Sequence, residues 1–338
     1  MTQEGLPTEA GTGPREPLVK ASGLTKRYAV RTRSGRRTLT AVDNIDLTVD
    51  AGRIVAVVGE SGCGKSTTGR LLLALERPSE GTVTVEGKDV NELPKKELRR
   101  LRRDIQPVFQ DPYDSLNGRM TISQILSEPA QVHGIAPGGS RSVADLLELV
   151  GLGSGYAERY PHELSGGQRQ RVAIARALAL DPKFIVCDEA VSALDVSVQA
   201  QVINLLSRLQ RELGLAYLFI SHDLALVRYL AHETAVMYLG RVVEQGPTEA
   251  LFADPRHPYT QLLLAAVPRP RVRGHDSRAA VAMGDLPSPL ERPKGCVFST
   301  RCPLATDLCR TEEPALRPVK DGTRTAACHY AETAEAVA

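Results

Sequence analysis

The sequence predicts an α/β fold: a mostly parallel sheet wrapped by helices, joined by an antiparallel β subdomain, a helical insertion and a small cysteine-rich C-terminal extension. Three observations predict it. Arg53–Val58 is a continuous apolar run closing on glycine, the pattern of a strand buried on both faces. Strand-like runs then alternate with helical ones, and Lys183–Cys187 and Ala216–Ile220 are two more apolar strands, each ending at a polar residue. Four of the six cysteines (Cys296, Cys302, Cys309, Cys328) crowd toward the end of the chain.

Residues 1–16 are rich in Gly, Pro, Thr and Glu and are expected to form a disordered tail. The main domain spans 17–267. Within it Gly81–Gly87 alternates Val83 and Val85 with polar residues, which suits an antiparallel edge sheet. Between Gln110 and Pro161 the strand signal disappears. Ile122–Glu128 and Val143–Val150 read as helices, so about 111–168 is the helical insertion. Arg169–Leu180 places Val172, Ala175, Leu178 and Ala179 on one helical face, and Asp181-Pro182 stops it. Met237–Val243 reads as a strand pair around Gly240. Residues 268–295, with many Pro, Arg, Gly and Ser, read as a linker to the cysteine-rich extension at 296–330.

At 338 residues the chain can bury one large core plus an appendage, or two domains. Its 42% hydrophobic and 24% charged content is ordinary for a soluble protein. A net charge of +2 gives no hint of a polyanion, and Arg99-Arg100-Leu101-Arg102-Arg103 reads as a solvated helix face, so no nucleic-acid partner is expected. No apolar run is long enough to cross a bilayer, and Met1-Thr2-Gln3-Glu4-Gly5 does not read as a secretory signal. A cytoplasmic protein is expected, with any membrane spans supplied by another chain.

Gly59-Glu60-Ser61-Gly62-Cys63-Gly64-Lys65-Ser66 matches G-x-x-x-x-G-K-[ST] between a strand and a helix. The glycines let consecutive N–H groups turn inward toward phosphate oxygens at a helix start. Lys65 is expected to bridge β- and γ-phosphates and Ser66 to hold Mg²⁺, with Thr67 next to the cradle. The core is therefore read as a P-loop NTPase (RecA-like) sheet. Phe184–Glu189 delivers two carboxylates to a strand tip, Asp188 for Mg²⁺ and Glu189 as base for the attacking water. Leu164-Ser165-Gly166-Gly167-Gln168 precedes a helix, which puts Ser165 and two glycine N–H groups at an anion-favouring helix start.

With these three motifs in this order the chain, from about Leu18 onward, resembles an ABC-type nucleotide-binding subunit. The resemblance implies ATP as substrate and further roles. Tyr28 resembles the aromatic that stacks on adenine. Gln110 resembles the glutamine that contacts Mg²⁺ and the attacking water. Asp195, in Ser192-Ala193-Leu194-Asp195, resembles the loop that communicates across a dimer, and His222 the switch histidine on the γ-phosphate. In such proteins LSGGQ caps the ATP held by the opposite subunit, so ATP is expected to close a dimer. Ala190 stands where the family usually has proline. One P-loop and no long heptad run argue against a ribosome- or DNA-directed relative, and LSGGQ argues against a kinase.

Val108–Asn117, Leu194–Gln201 and Asp254–Thr260 are similar to the ATPases of oligopeptide and dipeptide importers, with Gly118 where proline is usual. Gly62-Cys63-Gly64 resembles the second ATPase of the usual pair. The resemblance implies a heterodimer with a paralogous ATPase, a homodimer being the alternative. It also implies two membrane permease subunits, an extracytoplasmic substrate-binding protein and a place on the cytoplasmic face of the inner membrane. Nickel importers share much of the pattern.

Cys296, Cys302, Cys309 and Cys328 are spaced by five, six and eighteen residues, unlike the paired spacing of a zinc ribbon. Four thiolates can hold Zn²⁺ or an iron–sulfur cluster, and looser spacing suits the bulkier group. The resemblance to peptide-importer ATPases implies a [4Fe–4S] cluster, with zinc as the second reading and unligated thiols as the third. The segment's distance along the chain from the ATP motifs argues for a structural or regulatory role.

Overall fold

The computed structural model describes residues 16–33, 35–111, 115–135, 141–266, 287–319 and 322–332. The expected tail at 1–16 falls almost wholly outside them, as does most of the expected linker.

The chain opens with a long hairpin, β1 (Val19–Thr32) and β2 (Gly35–Val49). β3 (Ile54–Val58) follows, buried at every residue as its unbroken apolar run requires. It runs into α1 (Lys65–Leu72). β4 (Glu80–Val85) and the short β5 (Lys88–Asp89) then pair back, giving a four-stranded antiparallel sheet of order β2-β1-β4-β5. Val83 and Val85 are the buried residues of β4, as their alternation predicts.

The basic run forms α2 (Lys95–Asp104), which buries only Leu101 and presents its arginines outward. β6 (Ile105–Val108) leads into the helical insertion, α3 (Ile122–Val132) and α4 (Val143–Leu149), each opened by a reciprocal capping box (Thr121 with Gln124, Ser142 with Asp145). α5 (Gly166–Leu178) returns the chain to β7 (Phe184–Asp188). α6 (Val196–Leu213), β8 (Ala216–Ser221), α7 (Leu224–Leu230) and the hairpin β9 (Glu233–Tyr238) with β10 (Arg241–Pro247) complete the core. The hairpin turns at Leu239-Gly240, as expected from Gly240.

α8 (Thr248–Ala253) and α9 (Pro258–Ala265) lie against this end. The C-terminal extension adds α10 (Asp307–Thr311), β11 (Arg317–Val319) and β12 (Arg324–Ala326). The main sheet runs β11-β12-β10-β9-β3-β8-β7-β6, parallel from β9 to β6 and antiparallel beyond. The cysteine-rich extension is thus stitched into the main sheet. Cys296, Val297, Phe298 and Cys309 join the same apolar core as the insertion helices and α6. Arg292, in the stretch expected to be linker, is tied to Asp43 of β2 at 2.7 Å.

Candidate active site

The register of the parallel strands assembles the site. Val58 of β3 stands beside Ser221 of β8, Ile220 beside Asp188 of β7, and Cys187 beside Val108 of β6. The P-loop, Asp188-Glu189, Ser221-His222 and Gln110 therefore emerge in one row at the carboxyl ends of adjacent strands, the edge where open α/β sheets place ligands.

The P-loop backbone needs its glycines. Gly59, Gly62 and Gly64 have φ of 153°, 78° and 106°. A Cβ at Gly59 would lie 2.2 Å from the Met237 carbonyl oxygen, and one at Gly64 2.2 Å from that of Ala41. Lys65 is buried, and its Nζ donates to the carbonyls of Gly59 (2.8 Å) and Glu60 (3.0 Å). Ser61 and Gly62 are exposed at the loop's crown. Cys63 differs from the others: it is 1% exposed and belongs to the apolar core, with its Sγ 4.0 Å from Lys65 Nζ beneath the loop. Ser66 Oγ donates to Asp188 Oδ1 at 2.9 Å. These two oxygens suit a hard cation such as Mg²⁺. Burial and the neighbouring Glu189 charge push the Asp188 carboxyl above the usual range, opposed by the Ser66 hydrogen bond.

Glu189 sits just past β7 with φ of 47°, a left-handed conformation uncommon for a non-glycine residue. Ser192 donates to its carbonyl from both N–H and Oγ at 3.0 Å, and its own N–H donates to the Ile220 carbonyl at 3.0 Å. Its carboxylate is bracketed: Gln110 Nε2 donates to Oε2 at 3.1 Å, and His222 Nδ1 stands 3.6 Å from Oε1. A carboxylate so held can orient water. Ala190, in the place of the family proline, is buried and makes no polar demand.

Tyr28 lies on β1 beside the P-loop helix, with its hydroxyl donating to Glu76 Oε2 at 2.5 Å and Lys26 Nζ 5.1 Å from its ring centroid. Burial and Glu76 raise its phenol, while a hydrogen bond with Thr67 lowers it.

Ser165 caps α5. Its Oγ accepts the Gln168 N–H at 3.3 Å while Gln168 Oε1 accepts the Ser165 N–H at 2.9 Å. The helix therefore begins at Gly166, three residues before the apolar periodicity does. Gln168 also donates to the Tyr156 hydroxyl at 2.9 Å. Gly166 and Gly167 pack close against the loop and helix behind them, and a Cβ at Gly167 would fall 2.4 Å from Val198 Cγ1. Asp195 is exposed at the start of α6.

The four C-terminal cysteines line one apolar cavity with His257, Phe298 and Leu304. None is in a disulfide. Burial pushes the Cys296 and Cys302 thiols up to about 11 and raises Cys328, and negative charge on neighbouring cysteines adds to each shift. The donor set is therefore one of protonated thiols at neutral pH, which a bound metal would have to deprotonate. Among the described residues, however, no three His, Cys, Asp or Glu side chains close around an ion-sized point, so the expected ligand quartet is not assembled as one.

Sequence reasoning missed two residues here. Arg301, between Cys296 and Cys302, forms a two-point ion pair with Glu60 of the P-loop: Nη1 to Oε2 at 2.7 Å and Nη2 to Oε1 at 3.0 Å. Tyr259, at the start of α9, accepts the Glu60 N–H at 2.9 Å. The separation of the cysteine segment from the ATP motifs is one of chain length only. A glutamate inside a phosphate-binding loop was the available signal, since such a charge calls for a cation.

Comparison with known proteins agrees with this geometry. Residues 42–192 match the family model for ABC transporters, and residues 243–309 match that for the oligopeptide/dipeptide transporter C-terminal region. The chain is 52% identical over 322 residues to a protein of Sinorhizobium fredii named "Probable peptide ABC transporter ATP-binding protein y4tS", covering 93% of this chain and 90% of that one. Among solved structures it resembles cbiO1 of Clostridium perfringens, part of the ABC transporter complex cbiONQ (TM-score 0.62, 28% identity, 71% of this chain and 92% of that one). It also resembles a dimeric ATP-binding cassette, MJ0796, in a post-hydrolysis state with ADP and Pi (TM-score 0.60, 31% identity, 68% and 98%). The chain belongs to the ATP-binding proteins of ABC transporters, within the group that carries the oligopeptide/dipeptide C-terminal region.

Proposed function

We propose that this chain is the ATP-hydrolysing motor subunit of a peptide importer. The bracketing of Glu189 by Gln110 and His222, opposite the Ser66–Asp188 pair, carries the reading. Lys65 and the loop N–H groups bind the phosphates, and Ser66, Asp188 and Gln110 would hold Mg²⁺, which would neutralise phosphate charge. Glu189 takes the proton of the attacking water, and His222 steadies the γ-phosphate end. Tyr28 stacks on adenine. Ser165, Gly166, Gly167, Gln168 and Asp195 serve the ATP of the opposite subunit, so one chain holds two half-sites.

The partner ATPase is a paralogue, with two copies of this chain as the alternative. Membrane permeases carry the spans, since no helix among the described residues is long and apolar enough to cross a bilayer. A substrate-binding protein outside the membrane selects the peptide, and this chain lies peripherally on the cytoplasmic face. The ATPase domain spans 17–267, with 268–295 linking to the cysteine-rich extension. Co-purification from membranes tests the assembly: permease subunits with peptide-binding partners support it, and a chain recovered only with ribosomes or DNA refutes it.

A [4Fe–4S] cluster, with Zn²⁺ as the alternative, would be held by Cys296, Cys302, Cys309 and Cys328, and the lining of one cavity by all four supports this reading. Anaerobic purification giving brown protein with iron and sulfide supports the cluster; colourless protein with stoichiometric zinc reverses the assignment.

A further inference from the structure

We propose that Arg301 is a positioning residue for the phosphate-binding loop, so that the C-terminal extension shapes the phosphate cradle of its own chain.

Glu60 is the hinge of the argument. It is a carboxylate inside a loop whose task is to gather phosphate anions, so an uncompensated charge there opposes binding. Its three polar groups are each engaged by a different part of the chain. The carboxylate takes both Nη groups of Arg301 at 2.7 and 3.0 Å. The N–H donates to Tyr259 Oη at 2.9 Å, and the carbonyl accepts Lys65 Nζ at 3.0 Å and the Cys63 N–H at 3.3 Å. Arg301 therefore does two things at once: it cancels a charge beside the phosphate cradle and fixes the peptide on which the Lys65 ammonium rests.

Arg301 is built for this and is not a loose surface side chain. It is 9% exposed. Its guanidinium lies 5.9 Å from the Tyr238 ring centroid, with Nη1 3.4 Å from the Tyr238 hydroxyl. Tyr238 in turn meets Tyr259 at 4.7 Å and Phe298 at 5.2 Å between ring centroids. Phe298 belongs to the cysteine segment and Tyr259 to α9, so one aromatic cluster anchors both residues that grip Glu60. A planar fork on a carboxylate is geometry that lysine cannot copy.

The test uses the full chain carrying Glu189→Gln, which stops turnover, with Mg·ATP affinity measured by titration calorimetry and stability of the nucleotide-free protein by melting. Arg301→Met weakens Mg·ATP binding about tenfold, as a stranded half-buried carboxylate requires. Adding Glu60→Gln to Arg301→Met returns the affinity to within about threefold of the parent, because no bare charge remains. Arg301→Lys, which keeps the charge and loses the fork, costs about threefold. In the hydrolysing background, with the chain assembled with its partner ATPase, Arg301→Met raises KM with kcat at saturation nearly unchanged, since Gln110, Glu189 and His222 are untouched; a merely structural role lowers kcat at constant KM.

Unchanged affinity in Arg301→Met overturns the proposal, as does a loss that Glu60→Gln fails to recover. If Arg301→Met does not fold, Arg301→Lys decides: parental affinity overturns the proposal, and weakened binding at an unchanged melting temperature supports it. A parent chain that binds no Mg·ATP sinks the nucleotide-site reading along with it.

Discussion

Gln110 and Glu189 meet across the strand ends, Nε2 to Oε2 at 3.1 Å, although 79 positions separate them in the chain. Gln110 is the first polar residue after β6 and also the point where the helical insertion begins. Glu189 is thus held by a residue at the root of the insertion.

Replacing Glu189 by Gln removes the proton acceptor while keeping its size and its contact with Gln110. Phosphate release should fall by about 10²–10⁴-fold with ATP binding retained, the range for loss of a general base. A phosphate-release assay beside ATP titration measures both, and steady hydrolysis by this variant would refute the role of Glu189.

Ser165→Ala separates the two half-sites. It removes the α5 cap, costing about 1 kcal/mol, and the hydroxyl at a helix start facing outward. Binding of ATP to the isolated chain should survive, whereas ATP-driven dimerisation with the partner ATPase, followed by light scattering with Glu189→Gln, should be lost. Dimer formation at parental ATP concentrations would contradict the role of the signature loop.

Gly64→Ala combines a φ of 106° with a Cβ only 2.2 Å from the Ala41 carbonyl oxygen. Backbone strain alone is about 1–3 kcal/mol. The melting temperature should fall, and ATP should no longer shift it. Gly62→Ala, whose Cβ meets nothing within 4 Å, should fare better than Gly64→Ala despite its own positive φ.

Burial lowers the His257 imidazole to about 3, and its Nδ1 accepts the Tyr259 N–H at 3.1 Å, so the folded ring stays neutral. The unfolded chain takes up that proton below about pH 6.5. Stability contributed by neutral His257 is therefore present above that pH and is lost as pH falls toward 3, at about 1.4 kcal/mol per unit. Buried Glu244, which accepts the Arg256 and His257 N–H groups, is shifted up and gives a slope of opposite sign. Denaturant unfolding at pH 7 and 5 should show the protein weaker at pH 5, and His257→Asn, which retains a capping acceptor, should flatten the difference.

The site was readable where chemistry forces local sequence. The P-loop, the Asp188-Glu189 tip and LSGGQ each need a fixed short string, and β3 announces itself by five buried apolar residues in a row. Other parts lacked such a signal. β1 and β2 carry many Thr and Arg and slip register repeatedly, which blurs period-two alternation. β6 contains Pro107, admissible only because that strand lies at the sheet edge. α5 starts on two glycines, against helix propensity, because Ser165 and Gln168 close a capping box there. The Arg301–Glu60 pair spans 241 positions, and nothing local to either residue names its partner.

β12 pairs with β10 through Glu244–Ala326 and Gln245–Thr325, and the Ala327 N–H continues the ladder to the Val243 carbonyl at 2.8 Å. That pairing makes the tail of the protein a guard against misassembly. Cut away, it would bare the backbone N–H and C=O groups that Val243, Glu244 and Gln245 turn toward β12, a template for the next chain. A cassette trimmed to its ATP motifs would then be prone to stack into aggregates before its chemistry could be measured.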